Sequence, residues 1–165
     1  MAELVETDER FTPEHVLEVV RQFAPIYLDP CTTADNPTRA EHWITAEQDA
    51  LGDGQGWYRG DRRRLIFANP PYSRGELVRW MSKCVEESQE AEIVALIPSD
   101  LGTEAGRIVA TSCDALCFVH GRLTFRSPAG KPSAGAKQPS VMPYWGEDTK
   151  RFERVFSQLG TVWVR

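Results

Sequence analysis

Long apolar runs, a basic leader and paired cysteines are all missing from this chain of 165 residues. No apolar stretch approaches the roughly 20 residues of a membrane-spanning helix. The acidic start at residues 1–6 lacks the basic residues and the apolar core of a signal peptide. We therefore expect a cytoplasmic protein with no membrane partner.

Metal ligands are also scarce. The 3 histidines form no cluster with ligand spacing, and the 4 cysteines contain no Cys-x-x-Cys pair. Cys113 and Cys117 leave a zinc site as the alternative, although no companion pair or nearby histidine stands at zinc-finger spacing. We expect reduced thiols, mostly in the core, and no metal.

The length fits one domain with a full core, and we see no internal repeat. We therefore predict a single domain over residues 1–165 and favour a monomer. Residues 127–139 are rich in Pro, Gly, Ala, Ser and Lys, which predicts a mobile loop within that domain.

Charge is unevenly distributed along the chain, although the net charge is only −5. Residues 1–55 carry 3 basic and 12 acidic side chains, and residues 84–114 carry 1 and 7. Residues 56–83 carry 7 basic and 2 acidic side chains, and residues 115–165 carry 8 and 3. A basic stretch is usually a solvated surface, but local positive charge is also what a phosphate-contacting face requires.

Apolar periodicity predicts alternating helices and strands. Thr12 has the character of an N-cap with Pro13 at the first helical position, and Ser73 to Glu76 has the pattern of a capping box. The predicted helices run from Thr12 to Pro25, from the Ser73–Glu76 box through Val85, and over 148–159. The predicted strands are 26–29, 65–68, 93–97, 115–119, 122–125, 140–144 and 161–164. This alternation indicates an α/β sheet with helices on both faces.

The most informative segment is the apolar strand at 65–68, which runs directly into Asn69-Pro70-Pro71-Tyr72. Two successive prolines remove two backbone donors and stiffen the turn. The Asn69 side-chain oxygen and the Pro70 carbonyl can accept both hydrogens of an amino group, while the Tyr72 ring stacks on the planar group that carries it. The alternative is an ordinary proline turn in which Tyr72 only caps the core.

Ligands of open α/β sheets bind at the carboxyl ends of the strands. In this sequence those ends carry Asp29-Pro30, the Asn-Pro-Pro-Tyr turn and Pro98-Ser99-Asp100. Asp29 is suited to hold an ammonium group, and Thr12 with the start of its helix is suited to hold a carboxylate. Each could instead be a simple cap.

The order of these segments resembles that of S-adenosylmethionine-dependent amino methyltransferases, and more narrowly the compact phage-type DNA N6-adenine methyltransferase family. The resemblance extends from residue 11 to about residue 145. It depends on Phe11-Thr12-Pro13, Leu28-Asp29-Pro30, Asp49-Ala50-Leu51, Asn69-Pro70-Pro71-Tyr72-Ser73, Trp80, Leu96-Ile97-Pro98 and Gly121-Arg122-Leu123-Thr124-Phe125.

The resemblance implies a single-domain Rossmann-like methyltransferase fold, a mostly parallel twisted sheet with an antiparallel edge. It implies methylation of adenine N6 in DNA, by base flipping and in-line transfer from S-adenosylmethionine, in duplex or single-stranded DNA. A phage or prophage origin in a bacterial host follows from the same resemblance. The implied catalytic residues are Asn69, Pro70 and Tyr72, and the implied cofactor-binding residues are Thr12, Pro13, Asp29, Pro30 and Asp49. The expected DNA-binding residues are Pro71, Ser73, Arg62, Arg63, Arg64, Arg74, Arg122, Lys131 and Lys137.

Two features depart from the pattern and several functions stay open. Asp29-Pro30-Cys31 is followed by Thr-Thr-Ala rather than by a glycine-rich cofactor loop, and Ser99 and Asp100 have no assigned role. The alternatives are an amino methyltransferase that acts on cytosine N4, on RNA or on a protein glutamine, and a non-catalytic DNA- or cofactor-binding module. One or more residues of the arginine stretch at 62–64 could instead pair with the acidic amino-terminal half.

Overall fold

The computed structural model describes residues 10–57, 60, 63–73, 75–127 and 139–165. In chain order the elements are α1 (Glu14–Phe23), β1 (Ile26–Thr32), β2 (His42–Thr45), a 3-10 turn (Ala46–Gln48), β3 (Leu65–Ala68), α2 (Glu76–Glu87), β4 (Glu92–Ala95), β5 (Ile97–Pro98), α3 (Glu104–Ser112), β6 (Ala115–Val119), β7 (Ser140–Trp145), α4 (Thr149–Phe156) and β8 (Gly160–Val164). None of the helices in these ranges is long and apolar enough to span a bilayer.

All eight strands belong to one sheet with the order β2-β1-β3-β4-β7-β6-β8, and the short β5 also pairs with β7. The pairs among β2, β1, β3 and β4 are parallel, whereas every pair that involves β7 or β8 is antiparallel. Only β7 and β8 run against the common direction. The expected mostly parallel sheet with an antiparallel part is therefore confirmed.

Helices cover both faces of the sheet, as its strand pattern requires. In β3 the side chains alternate, so that Leu65 and Phe67 join the core cluster of α1 and α4 while Ile66 and Ala68 join that of α2 and α3. All four are buried, as expected for a strand in the interior of a sheet that is covered on both sides.

The structure corrects several boundaries and adds two elements. β1 continues through Asp29 and Pro30 to Thr32, and the predicted strand at 122–125 is an irregular segment. Sequence reasoning missed β2 and α3. The predicted mobile loop falls mainly on residues 128–138, which lie outside the described residues.

Both predicted helix caps are wrong. α1 begins at Glu14 with Pro13 in the N-cap position, and no side-chain cap bond forms there. α2 begins at Glu76 with Gly75 as its N-cap, so Ser73 is not the N-cap residue of this helix. Thr12 is thereby released from a capping role, which matters for the site.

A close approach at the start of β8 gives a stability prediction. A Cβ atom on Gly160 would lie 1.9 Å from the Phe118 carbonyl oxygen. Because both are backbone positions of paired strands, Gly160→Ala must push β8 away from β6. We expect a loss of about 1–3 kcal/mol of unfolding free energy, measured by urea denaturation.

Gly56→Ala is the matched control, because a Cβ there meets nothing within 4 Å. It should leave the denaturation midpoint nearly unchanged. Equal midpoints for the Gly160 and Gly56 variants would mean that β8 can shift at little cost.

Candidate active site

The carboxyl ends of the parallel strands surround a cavity of about 420 Å³, which is within the range of small-molecule sites. Four of the predicted site residues line it: Pro30, Asp49, Asn69 and Pro71. The structure thus brings together residues from the end of β1, the turn after β2 and the turn after β3. The other walls come from residues that sequence reasoning did not assign to the site, among them Arg10, Cys31, Thr33, Leu51 and Glu76.

Asn69 is held by hydrogen bonds at both ends of its amide. Its Nδ2 donates to the Arg10 carbonyl oxygen at 2.7 Å and to Thr12 Oγ1 at 3.0 Å. Its Oδ1 accepts from the Tyr72 hydroxyl at 3.1 Å. Since the Arg10 carbonyl oxygen can only accept, it fixes the orientation of the amide, and one lone pair of Oδ1 remains for another donor.

The Tyr72 side chain packs against the protein. Its hydroxyl also lies 3.1 Å from the Leu96 carbonyl oxygen, its ring meets Phe125 edge to face at 6.2 Å between centroids, and the Arg10 guanidinium lies 5.3 Å from the ring centroid. A base stacked on Tyr72 would therefore share or replace these contacts. Phe125, the last residue of the Gly-Arg-Leu-x-Phe segment, is buried and supports the ring of Tyr72.

Asp29 is a buried carboxylate, only 3% exposed. Its Oδ1 accepts from the Cys31 backbone N–H and its Oδ2 from the Thr38 hydroxyl. Burial raises the pKa of Asp29 to about 6 despite these bonds. No ion pair joins Asp29 to a cation among the residues that the structure describes, so a cationic ligand would relieve the desolvation of its charge.

A second, small cavity of about 20 Å³ adjoins the first and is lined by Thr12, Asp29, Thr38 and Asn69 among others. The two predicted cofactor residues Thr12 and Asp29 thus come together beside Asn69. Thr33 Oγ1, in the wall of the larger cavity, is buried without a hydrogen-bond partner in the described part of the chain. An orphaned hydroxyl at this position fits a polar ligand, in a segment where no glycine-rich loop exists.

The remaining predicted residues have varied surroundings. Asp49 is exposed, adopts a left-handed conformation with φ 48°, and accepts the Leu51 N–H at 3.3 Å. Pro13, Pro30 and Pro70 are buried, whereas Ser73 is exposed. Trp80, one of the residues on which the sequence resemblance depends, lines the cavity from α2. It packs on Trp57 at 5.7 Å between ring centroids.

Arg63 and Arg64 do not lie beside Asn69 in space, although both are close to it in the chain and were expected to bind DNA. Arg63 and Arg64 precede β3 and Asn69 follows it, so they stand at opposite ends of the strand. At about 3.3 Å per residue, Arg64 is about 16 Å from Asn69 and Arg63 about 20 Å. Arg63 donates to the Ser88 and Ala91 carbonyl oxygens and pairs with Glu147.

Arg64 pairs with Glu41 at 2.8 Å and lies over the ring of Tyr27. The alternative that an arginine of this stretch pairs with the acidic amino-terminal half therefore holds for Arg64. Arg62, Arg74, Lys131 and Lys137 lie outside the described residues.

Other cations lie at the carboxyl edge of the sheet, where Asn69 is. Arg122 and Arg126 are exposed in the segment that follows β6, and Phe11 and Arg126 exchange two backbone hydrogen bonds of 2.8 and 3.2 Å. This bridge holds the segment against the chain beside Asn69. Sequence reasoning selected Arg122 but missed Arg10 and Arg126. The two were missed because the bridge between Phe11 and Arg126 joins positions far apart in the chain.

The mostly parallel sheet with helices on both faces is that of a Rossmann-like methyltransferase. A family model described as DNA N-6-adenine-methyltransferase (Dam) matches residues 3–159, and the chain belongs to this family. A search of curated proteins found no match. Family membership confirms the resemblance to adenine methyltransferases and implies DNA adenine-N6 methyltransferase activity.

Proposed function

We propose that the protein methylates the N6 amino group of adenine at a specific site in DNA, after flipping the base into the cavity beside Asn69. The observation that carries the proposal is the fixed amide of Asn69, which directs an acceptor oxygen at the carboxyl edge of the sheet in a member of this family. We also propose a phage or prophage origin, because the sequence resembles the compact phage-type DNA N6-adenine methyltransferases.

The chemistry needs acceptors because an adenine amino group is a poor nucleophile. Its lone pair is delocalised into the ring, and the Asn69 Oδ1 and the Pro70 carbonyl would draw the nitrogen toward a nucleophilic geometry. They would also stabilise the positive charge that develops as the methyl group is transferred in line. Tyr72 would stack on the flipped base and offset part of an unstacking cost of roughly a few kcal/mol.

The residues around Asp29 fit S-adenosylmethionine, which supplies the methyl group when bound. We propose that Asp29 holds its ammonium group, since this carboxylate is buried without a cationic partner among the described residues. Thr12 and the orphaned hydroxyl of Thr33 are suited to its polar groups. Asp49 at the rim would accept from its adenine amino group.

The test is a methyl-transfer assay on unmethylated plasmid DNA with labelled cofactor, followed by nucleoside analysis and sequencing. N6-methyladenine confined to one sequence context is the expected product. N4-methylcytosine, or label on RNA or protein instead, would move the assignment to another amino methyltransferase. Cofactor binding without transfer to any of them would favour a binding module.

We place the DNA contacts on the carboxyl edge of the sheet, through Arg122 and Arg126 with Pro71 and Ser73 near the target base. Each phosphate contact that is removed should lower the slope of log affinity against log salt by about 0.9 for B-DNA. Arg122→Ala/Arg126→Ala should therefore lower it by about 1.8 with little change in sequence preference, measured by fluorescence anisotropy at several salt concentrations.

Arg63→Ala/Arg64→Ala tests the alternative, in which the arginine stretch contacts DNA. We expect this variant to keep the wild-type slope and to melt at a lower temperature, because it loses the bonds of Arg63 to the Ser88 and Ala91 carbonyls. A reduced slope for this pair and an unchanged one for Arg122 and Arg126 would move DNA to the amino-terminal end of β3. Unchanged slopes for both pairs would direct the search to Arg74, Lys131 and Lys137.

A further inference from the structure

Thr12 contacts the amide that the proposed chemistry depends on. Its Oγ1 accepts from Asn69 Nδ2 at 3.0 Å, across 57 positions of sequence. The neighbouring Arg10 carbonyl oxygen accepts from the same nitrogen at 2.7 Å. Both Asn69 N–H groups are therefore directed to one short segment of the chain, residues 10–12.

The direction of the amide decides whether Asn69 can act. An asparagine side chain has an acceptor at one end and two donors at the other, and a rotation of 180° about χ2 exchanges them. With Nδ2 toward the cavity, two donors would face an amino group that itself needs acceptors. The Tyr72 hydroxyl donates to Oδ1 and so supports the productive orientation, but it could also accept from a reversed amide. The Tyr72 bond alone therefore does not select the orientation.

The segment is built to hold Thr12 in place. Phe11 is bridged to Arg126 by two backbone hydrogen bonds, and Pro13 fixes the backbone dihedral that follows Thr12. Because Pro13 takes the N-cap position of α1 and no side-chain cap forms, the Thr12 hydroxyl is not used by the helix. It accepts from Asn69 and retains its own proton for a further acceptor, such as a ligand carboxylate in the small cavity that Thr12 lines.

We propose that Thr12 is a positioning residue: the Arg10 carbonyl oxygen, which can only accept, sets the orientation of the Asn69 amide, and the Thr12 hydroxyl holds the amide in that position in addition to any contact with cofactor. This inference deepens the proposed function and depends on it for its kinetic consequence. It separates two roles of one hydroxyl: a cofactor contact sets affinity, whereas control of the amide sets turnover when every site is filled.

The test compares Thr12→Val, which keeps the shape and removes the hydroxyl, with Thr12→Ser, which keeps the hydroxyl. At saturating S-adenosylmethionine and DNA, kcat of Thr12→Val should fall about 10- to 100-fold, the size of effect that misplacement of a reacting group produces. Thr12→Ser should recover most of this loss. Thr111→Val is the control, because that exposed hydroxyl bonds only within α3, to the Arg107 and Ile108 carbonyls.

A raised dissociation constant for S-adenosylmethionine with an unchanged kcat at saturation would overturn the proposal, since Thr12 would then act on the cofactor alone. A second measurement does not require activity. The side-chain NH₂ signals of Asn69, assigned by their loss in Asn69→Ala, should move in ¹⁵N spectra of Thr12→Val and stay near their wild-type positions in Thr12→Ser.

If wild-type protein transferred no methyl group to DNA, the proposed function would fail while the NMR result still decided the positioning role. Unmoved Asn69 signals in Thr12→Val would reject that role whatever the substrate.

Discussion

Asn69→Ala is expected to bind S-adenosylmethionine with near wild-type affinity and to lose methyl transfer by about 10²–10³-fold or more, the range seen when one transition-state contact of this kind is removed. The variant lacks the Oδ1 acceptor, which is needed mainly when charge develops on the target nitrogen. The amide is only partly buried, so its removal should leave the fold intact. Single-turnover transfer to DNA, with calorimetry for the cofactor, measures the two effects separately.

Asn69→Asp is the matched variant because it keeps an acceptor oxygen and the size of the side chain. The Thr12 hydroxyl can donate to the new carboxylate, although the Arg10 carbonyl would then face a second acceptor. We expect this variant to retain more activity than Asn69→Ala. Comparable turnover of Asn69→Ala and wild type would remove Asn69 from the chemistry altogether.

Asp29→Asn should weaken S-adenosylmethionine binding by at least about 30-fold, since loss of one partner of a buried charge pair costs about 2–5 kcal/mol. The same substitution should raise stability at neutral pH. The folded-state pKa of about 6 lies above the ordinary 3.8, so ionisation of Asp29 opposes folding. At 1.36 kcal/mol per pKa unit, removal of the charge is worth about 3 kcal/mol at pH 7.

The raised pKa of Asp29 determines the pH range over which wild type loses stability relative to Asp29→Asn. The folded state binds the proton of Asp29 more tightly than the unfolded state. Protonated Asp29 therefore stabilises the folded wild-type protein fully below pH 3.8, and this stabilisation is lost as the pH rises through about 6. Denaturation of both proteins between pH 4 and 8 should show the variant gaining on wild type across that window. A parallel pH dependence of the two proteins would mean that folding does not raise the pKa of Asp29, and unchanged cofactor affinity would place the ammonium site elsewhere.

Strand ends were the part of the site that local sequence could predict. Apolar runs fix where β1 and β3 lie, and the polar residues at their carboxyl ends, Asp29 and Asn69, come together because the strands are parallel neighbours. The Asn-Pro-Pro-Tyr turn could be read for the same reason, since prolines constrain the backbone wherever they stand. Residue chemistry and a simple rule of topology were sufficient here.

Contacts between distant segments could not be predicted from pattern. Thr12 has the character of a helix cap, and only the folded chain shows its hydroxyl bonded to Asn69. β2 was missed because it is an edge strand with two exposed residues, and α3 because Thr and Gly weaken its helical pattern. At 122–125, where a strand was expected, exposed and buried side chains alternate. The bridge beside this segment, between Arg126 and Phe11, is isolated and belongs to no strand.

The position of β7 has a consequence for how the protein is made. This strand lies in the middle of the sheet between β4 and β6, yet it is formed by residues 140–145, which follow both neighbours in the chain. A ribosome must therefore release the chain through residue 145 before the two halves of the sheet can join. Fragments that stop short of β7 should remain unfolded and sensitive to protease, so a nascent chain cannot assemble the cavity beside Asn69 before β7 has emerged.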